Sequence, residues 1–375
     1  VRAQRGDPRP GRLVGIDLAR GLAVFGMYAA HVGPDPETEG GVLGAVLQLA
    51  HGRSSALFAV LAGVSVAILT GRTEPVSGRD RRQAMTRIAI RAVILVVLGI
   101  ALALLDTSVA VIIPYYGVYF LLALPLVRLR ARALAVLAAV FAVVGPQLSF
   151  AIRFAGAVPQ TETPDTVVDG IAELLVSGTY PAITWMPFVI AGMALGRIDI
   201  STAPVLRRIA WLGTVLLLAG YGGSWLALNV FGGRAALLAS PHAAAVAASE
   251  PGAVSTDSLA GLLVATPHSG TTFEVLGALG CALLVVAGAT WLTRKPRVLL
   301  VPVIAVGRMS LSAYVGHVLA MWLLDPETMS TPPLLVLLGF VLTTAALATL
   351  WSRAFRRGPL EHLLYLATTP ARLIR

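Results

Sequence analysis

The chain has 375 residues, 57% of them hydrophobic and 13% charged, with a mean hydropathy of +0.81. That hydropathy excludes an ordinary water-soluble globule. The net charge of +10 does not point to nucleic acid, because the basic residues collect in every second segment between apolar runs, as the positive-inside rule requires of a membrane protein.

Apolar runs long enough to span a bilayer, about 17 to 25 residues each, fall near residues 13–32, 54–70, 88–105, 108–127, 133–152, 180–196, 209–231, 272–293, 301–324 and 332–352. The expected fold is an all-α polytopic membrane helix bundle of about ten transmembrane helices, with cytoplasmic N- and C-termini. A basic cytoplasmic tail is expected over 1–12, the bundle over 13–356 and an amphipathic cytoplasmic tail over 357–375. The first run keeps Asp17 and Arg20 and lacks a small-residue cleavage site, so it reads as a retained span rather than a signal peptide. Cys281 stands alone, which leaves no disulfide framework and no thiolate cluster, and no metal is expected. Nucleotide motifs such as G-x-x-x-x-G-K-[ST] are absent from the sequence.

Span one carries Asp17, Arg20 and His31. Ionisable groups at membrane depth cost several kcal/mol and mark functional sites by default. Arg20 and His31 fall within about 20° of one another on a helix, roughly 16 Å apart along its axis. Asp17, one turn before Arg20, is placed to pair with it. Arg20 can equally snorkel to the inner interface, which would make the pair structural. Residues 40–51 are apolar but too short to span, and suit a re-entrant or surface helix. His51 then directly precedes span two in HGRSSALFAVLAGV, with Ser54 as the expected helix cap. His31 and His51 are thus candidate general bases at one outward-facing pocket.

Between spans two and three lie Arg79, Arg82 and Arg87, with Arg91 one turn into the next helix. They suit inner-face anchors, or ligands for a phosphorylated cofactor. Asp106 and Tyr116 bracket the start of span four, and PHSGTTFE sets His268 and Glu274 at the outer start of span eight. GRMSLSAYVGH places Arg308, Ser310, Ser312, Tyr314 and His317 in span nine. An arginine at that depth should face the interior and find a carboxylate, with Asp17, Asp106 and Glu274 as possible partners. Pro359 to Thr368 reads as an amphipathic helix on the inner face.

RLVGIDLARGLAVFGMYAAH resembles the opening of the transmembrane acyltransferase superfamily, whose first helix begins I/L-D-x-x-R-G. The spacing from Arg20 to His31 looks like that of the sugar and lipid O-acyltransferase branch. HGRSSALFAVLAGVSVAIL is similar to the segment that carries the active-site histidine in the heparan-α-glucosaminide N-acetyltransferase family. LLDTSVAVIIPYYGVYFLLALPL, GRMSLSAYVGH and RGPLEHLLY resemble the YeiB-like bacterial branch.

The resemblance implies transfer of an acyl group, expected to be acetyl, from cytoplasmic acetyl-CoA or another acyl-CoA to an extracytoplasmic glycan or lipid-linked acceptor. The implied setting is the bacterial plasma membrane, with the lipid bilayer as partner and a homodimer left open. Carried over, the base falls at His51 by one branch and at His31 by the other, with Arg20 and Asp17 completing the catalytic group. Arg20 or Arg308 would polarise or position the donor, and Arg79, Arg82, Arg87, Arg91 and Arg308 would meet its phosphates. Asp106, Tyr116, His268, Glu274 and Tyr314 are the candidate substrate-binding residues. Arg53, Ser54 and Ser55 stand where the N-acetyltransferases carry Trp-Asn-Gly, so glucosamine is not carried over as acceptor. His31, His51 and Arg20 are expected to line one cavity. The alternative function is a proton-coupled carrier or exporter of a polar or lipid-linked solute, using the same groups as a proton relay.

Overall fold

The computed structural model describes residues 13–157, 166–239, 254–295, 298–325 and 330–374, and every regular element among them is helical. In chain order the main helices are α1 (Val14–Val32), α2 (Gly41–Ala50), α3 (Arg53–Leu69), α4 (Gly78–Ala103), α5 (Ile113–Ala123), α6 (Ala131–Phe154) and α7 (Ala182–Gly196). They continue with α8 (Ala203–Leu217), α9 (Thr272–Leu292), α10 (Val301–Arg308), α11 (Ser310–Leu324), α12 (Pro333–Ala354) and α13 (Pro359–Ala367). The basic tail over 1–12 lies outside the described residues.

A helix stands at each of the ten expected places, but fewer have the length and apolarity of a span. Six do, or eight if the bent pairs 167–177 with α7 and 298–308 with α11 each count as one. The two that fall short are α1 and α5. Asp17, Arg20 and His31 lower the hydropathy of α1, and α5 has only 11 residues before it tightens into a 3-10 turn.

Without a hydrophobic force between helices in lipid, close approach depends on small residues. A Cβ on Gly63 would collide with the Val189 carbonyl, and one on Gly192 with the Val60 carbonyl, so α3 and α7 touch backbone to backbone. Likewise Gly21 abuts the Val303 carbonyl and Gly307 the Asp17 carbonyl. That crossing of α1 with α10 delivers Arg308 to the level of Asp17 and Arg20.

At Met309 the chain bends by 80° between α10 and α11. The bend exposes the first N–H groups of α11, which a helix cannot satisfy internally. Glu361 of α13 supplies the acceptor: its carboxylate takes the Leu311 N–H at 2.8 Å, the Ser312 N–H at 3.3 Å and the Ser312 hydroxyl at 2.6 Å. Because α11 turns away, α12 packs mainly along α10 and α1.

Two basic residues serve the fold. The buried Arg197 guanidinium donates to the carbonyls of Ala67, Thr70, Arg72 and Val127 and to the Thr70 hydroxyl, closing the C-terminal end of α3. Arg79 donates its Nε–H to the Ile374 carbonyl at 3.1 Å, and Gln83 donates to the carbonyls of Arg372 and Ile374. The C-terminal segment is thereby pinned to the start of α4.

Candidate active site

A cavity of about 820 Å³ opens among α1, α3, α4, α5, α10, α11 and α13 at the arginine-rich end of the bundle. Asp17, Arg20, Arg91, Arg308, Tyr116 and Tyr314 are among the residues that line it. The expected pair is formed: Arg20 Nη1 lies 3.3 Å from Asp17 Oδ1. Its other nitrogen donates to Ser65 Oγ at 2.7 Å, and the Ser65 hydroxyl donates in turn to the Leu61 carbonyl at 2.8 Å. Held on two sides, the Arg20 fork has a fixed orientation. Arg91 and Arg308 differ, because each has a buried Nε–H with no partner. Buried donors left unmet cost about 1–3 kcal/mol, more when charged, so the two guanidinium groups suit an anionic ligand. Arg87 and Arg357 lie within electrostatic range of Arg91. Gly71, Arg72 and Thr73, after α3, and Leu364 of α13 complete the lining on this side.

Four histidines gather beyond the opposite side of this cavity. His317 on α11, 2% exposed, sits between Tyr28 and Tyr314, with ring centroids 4.7 and 4.9 Å away. Its Nδ1 bonds the Tyr314 carbonyl, and its Nε2 lies 2.9 Å from Nδ1 of His31. A carbonyl only accepts, so Nδ1 of His317 carries the proton and Nε2 of the neutral ring is an acceptor. His31 must then donate through Nδ1, which leaves the lone pair on its Nε2 unspent. His51 reaches the same condition independently: its Nδ1–H donates to the Leu47 carbonyl at 3.0 Å, again freeing Nε2. Both rings thus carry their proton on Nδ1.

His51 occupies the break between α2 and α3. Gly52 follows with φ of 69° and is the N-cap of α3, without a side-chain cap, so the expected cap by Ser54 is not formed. Ser54 instead packs against Gly26 of α1. A Cβ on Gly52 would press on Pro267, which sets the loop carrying His268 directly against this break. His268 has a left-handed backbone, φ 62°, stacks on Trp185 at 5.7 Å and meets the Tyr180 ring edge-on at 5.1 Å. Burial, reinforced by the neighbouring His51, holds its imidazole down at about 4. Glu274, 2% exposed, fastens this loop by accepting from the backbone N–H groups of Gly270 and His268. His31 lies within electrostatic range of His317, His268 and His51.

Arg20 and the histidines therefore do not share one cavity. Eleven residues of α1 separate Arg20 from His31 by roughly 16 Å, and neither His31 nor His51 lines the arginine cavity, although Tyr314, which does, packs against His317. Arg91 and Arg308 line the cavity, whereas Arg79, Arg82 and Arg87 do not. The C-terminal backbone has captured Arg79, Arg82 is exposed and Arg87 lies a turn outside. Asp106 is exposed in a left-handed turn, φ 52°, after α4, and is no partner for Arg308. Glu274 is engaged in its own loop, and the carboxylate sharing the cavity with Arg308 on α1 is Asp17.

His317, Ser65 and Glu361 act through contacts between helices that the sequence does not display. GRMSLSAYVGH displayed His317, and RGPLEHLLY displayed Glu361. Neither string says which helix stands opposite.

Residues 12–227 match the family model described as heparan-alpha-glucosaminide N-acetyltransferase, catalytic. Residues 234–370 match a second model, described as protein of unknown function (DUF418). No curated protein matches the chain. The first match covers more than half of the sequence and includes Asp17, Arg20, His31, His51 and Arg91, whereas Arg308 and Tyr314 fall within the second. This chain belongs to the family of the heparan-alpha-glucosaminide N-acetyltransferase catalytic domain, a family of membrane acetyltransferase-like enzymes.

Proposed function

We propose that the protein is an acyl-CoA-dependent acyltransferase that carries an acetyl or other acyl group from the arginine-rich face of the membrane to an acceptor on the opposite face. The observation that supports this most is the sharing of α11 between two chemically distinct compartments. Tyr314 lines the arginine cavity and, with its carbonyl, orients His317 and through it His31. The positive-inside rule assigns the arginine-rich end to the cytoplasm, which is where acyl-CoA is found.

In this reading Arg91 and Arg308 bind the donor phosphates, and Arg20, steadied by Asp17 and Ser65, positions the thioester arm. Nε2 of His51 or of His31 takes the proton of the acceptor hydroxyl or amine. The acceptor oxygen or nitrogen forms a bond to the acyl carbonyl carbon, the carbon–sulfur bond breaks, and the departing CoA thiolate receives the proton. His268 stays neutral beside His51 and adds no competing positive charge. Acetyl transfer measured in proteoliposomes tests the assignment: whichever of His31→Ala and His51→Ala removes the base should lower the rate by about 10²–10⁴-fold, and the double variant should be as impaired. Unchanged activity in the double variant overturns it, and uptake of solute without CoA consumption would replace it with a carrier.

A further inference from the structure

A second cavity, about 740 Å³, lies on the other side of α11, between it and α12. It exists because the 80° bend at Met309 swings α11 off the line that α12 follows. Ala313, Gly316 and Ala320 form its α11 wall, facing Gly339, Phe340 and Thr343 on α12. A Cβ on Gly316 or Gly339 would meet nothing within 4 Å, so the missing side chains leave the groove open. It runs from Leu324 to Trp351, nearly the length of α11, about 22 Å at 1.5 Å per residue. Among the described residues, no Asp, Glu, Lys or Arg lines it.

His317, the residue bonded to His31, puts an imidazole in its wall. The arginine cavity touches α11 through Ser310, Leu311 and Tyr314, whereas the groove touches it through Ser312, Ala313, Gly316 and His317. The two hollows thus flank α11 on different faces: the groove reaches His317 itself, and the arginine cavity reaches Tyr314, which packs against it. Most of α12 faces away from the protein interior, so the groove sits among lipid chains. A water-soluble glycan finds no charged partner there, and a hydrocarbon chain does not need one.

We infer that the acceptor is a membrane-borne amphiphile, a lipid with a hydroxyl or amine at its head, whose hydrocarbon chain lies in the groove between α11 and α12 while its head reaches the His31–His317 pair. This rests on the acyltransferase reading and deepens it, giving donor and acceptor separate approaches to the imidazoles.

The test uses the full chain in phosphatidylcholine nanodiscs with a hexadecanol probe bearing a mid-chain diazirine. Photolabelling should map to 316–320 and 339–343, and excess unlabelled hexadecanol should compete where added phosphatidylcholine does not. Gly316→Leu and Gly339→Phe, filling the groove from either wall, should each cut that labelling about tenfold. CoA-dependent thermal stabilisation, read on the same samples, should persist in both variants. Labelling spread evenly over the lipid-facing residues of α4, α6 and α12 overturns the inference, as does labelling untouched by either variant. The wild-type map decides the matter even if both variants unfold. If CoA fails to stabilise the wild type while the groove still labels, the acyl-donor reading falls and the lipid site remains.

Discussion

Nδ1 of His31 lies 2.9 Å from Nε2 of His317, and the direction of that hydrogen bond is dictated by the Tyr314 carbonyl bonded to the far nitrogen of His317. A main-chain oxygen thus fixes the tautomer of a ring two hydrogen bonds away.

Replacing His317 should therefore damage His31 by releasing the orientation of its ring. His317→Leu should lower kcat by about 10²-fold, within the range for loss of an oriented base. His317→Asn, whose amide can donate to the Tyr314 carbonyl and accept from His31, should recover a measurable part of it. Equal losses in the two variants, measured as initial rates of acetyl transfer, would reduce His317 to a packing residue.

Arg91 and Arg308 carry the unmet donors of the cavity. Arg91→Gln or Arg308→Gln should raise KM for acyl-CoA tenfold or more, since charge-assisted hydrogen bonds contribute about 1.5–3 kcal/mol, and kcat should change less. Saturation kinetics at two salt concentrations check this, and the native enzyme should show the steeper dependence on salt.

Gly307 has no room for a side chain against the Asp17 carbonyl. Gly307→Ala should force α10 away from α1 and destabilise the fold by about 1–3 kcal/mol. The same displacement separates Arg308 from Arg20, so loss of CoA-induced stabilisation should accompany the lower Tm. Gly288, where a Cβ meets nothing within 4 Å, is the comparison site, and Gly288→Ala should leave Tm nearly unchanged.

His268 titrates near 4 when folded against an ordinary value of 6.5. Between those values the unfolded chain binds a proton that the native protein does not, so this residue's linkage raises stability with pH. The contribution is complete above about 6.5 and is lost as pH falls toward 4. His268→Phe, which keeps a ring on Trp185, should flatten the fall of Tm between pH 7 and pH 5. An unaltered slope would place the proton-sensitive group elsewhere.

The sequence alone determined much of the scaffold. Hydropathy located every major helix because a lipid-embedded segment must be both apolar and internally hydrogen-bonded. Helical spacing paired Asp17 with Arg20 and set His31 one helix length above them, since both are relations within a single element. Only the tertiary structure decided which groups meet across helices. Periodicity gives a residue's height and face but not the neighbour that this face encounters, so His317 as the partner of His31, and Glu361 as the cap of α11, were not legible. The assignment of Arg20 and the histidines to different compartments followed from the glycine-mediated crossing of α1 with α10 and from the bend at Met309. The first depends on backbone contact between segments nearly 300 residues apart, and the second on a carboxylate about 50 residues further along the chain.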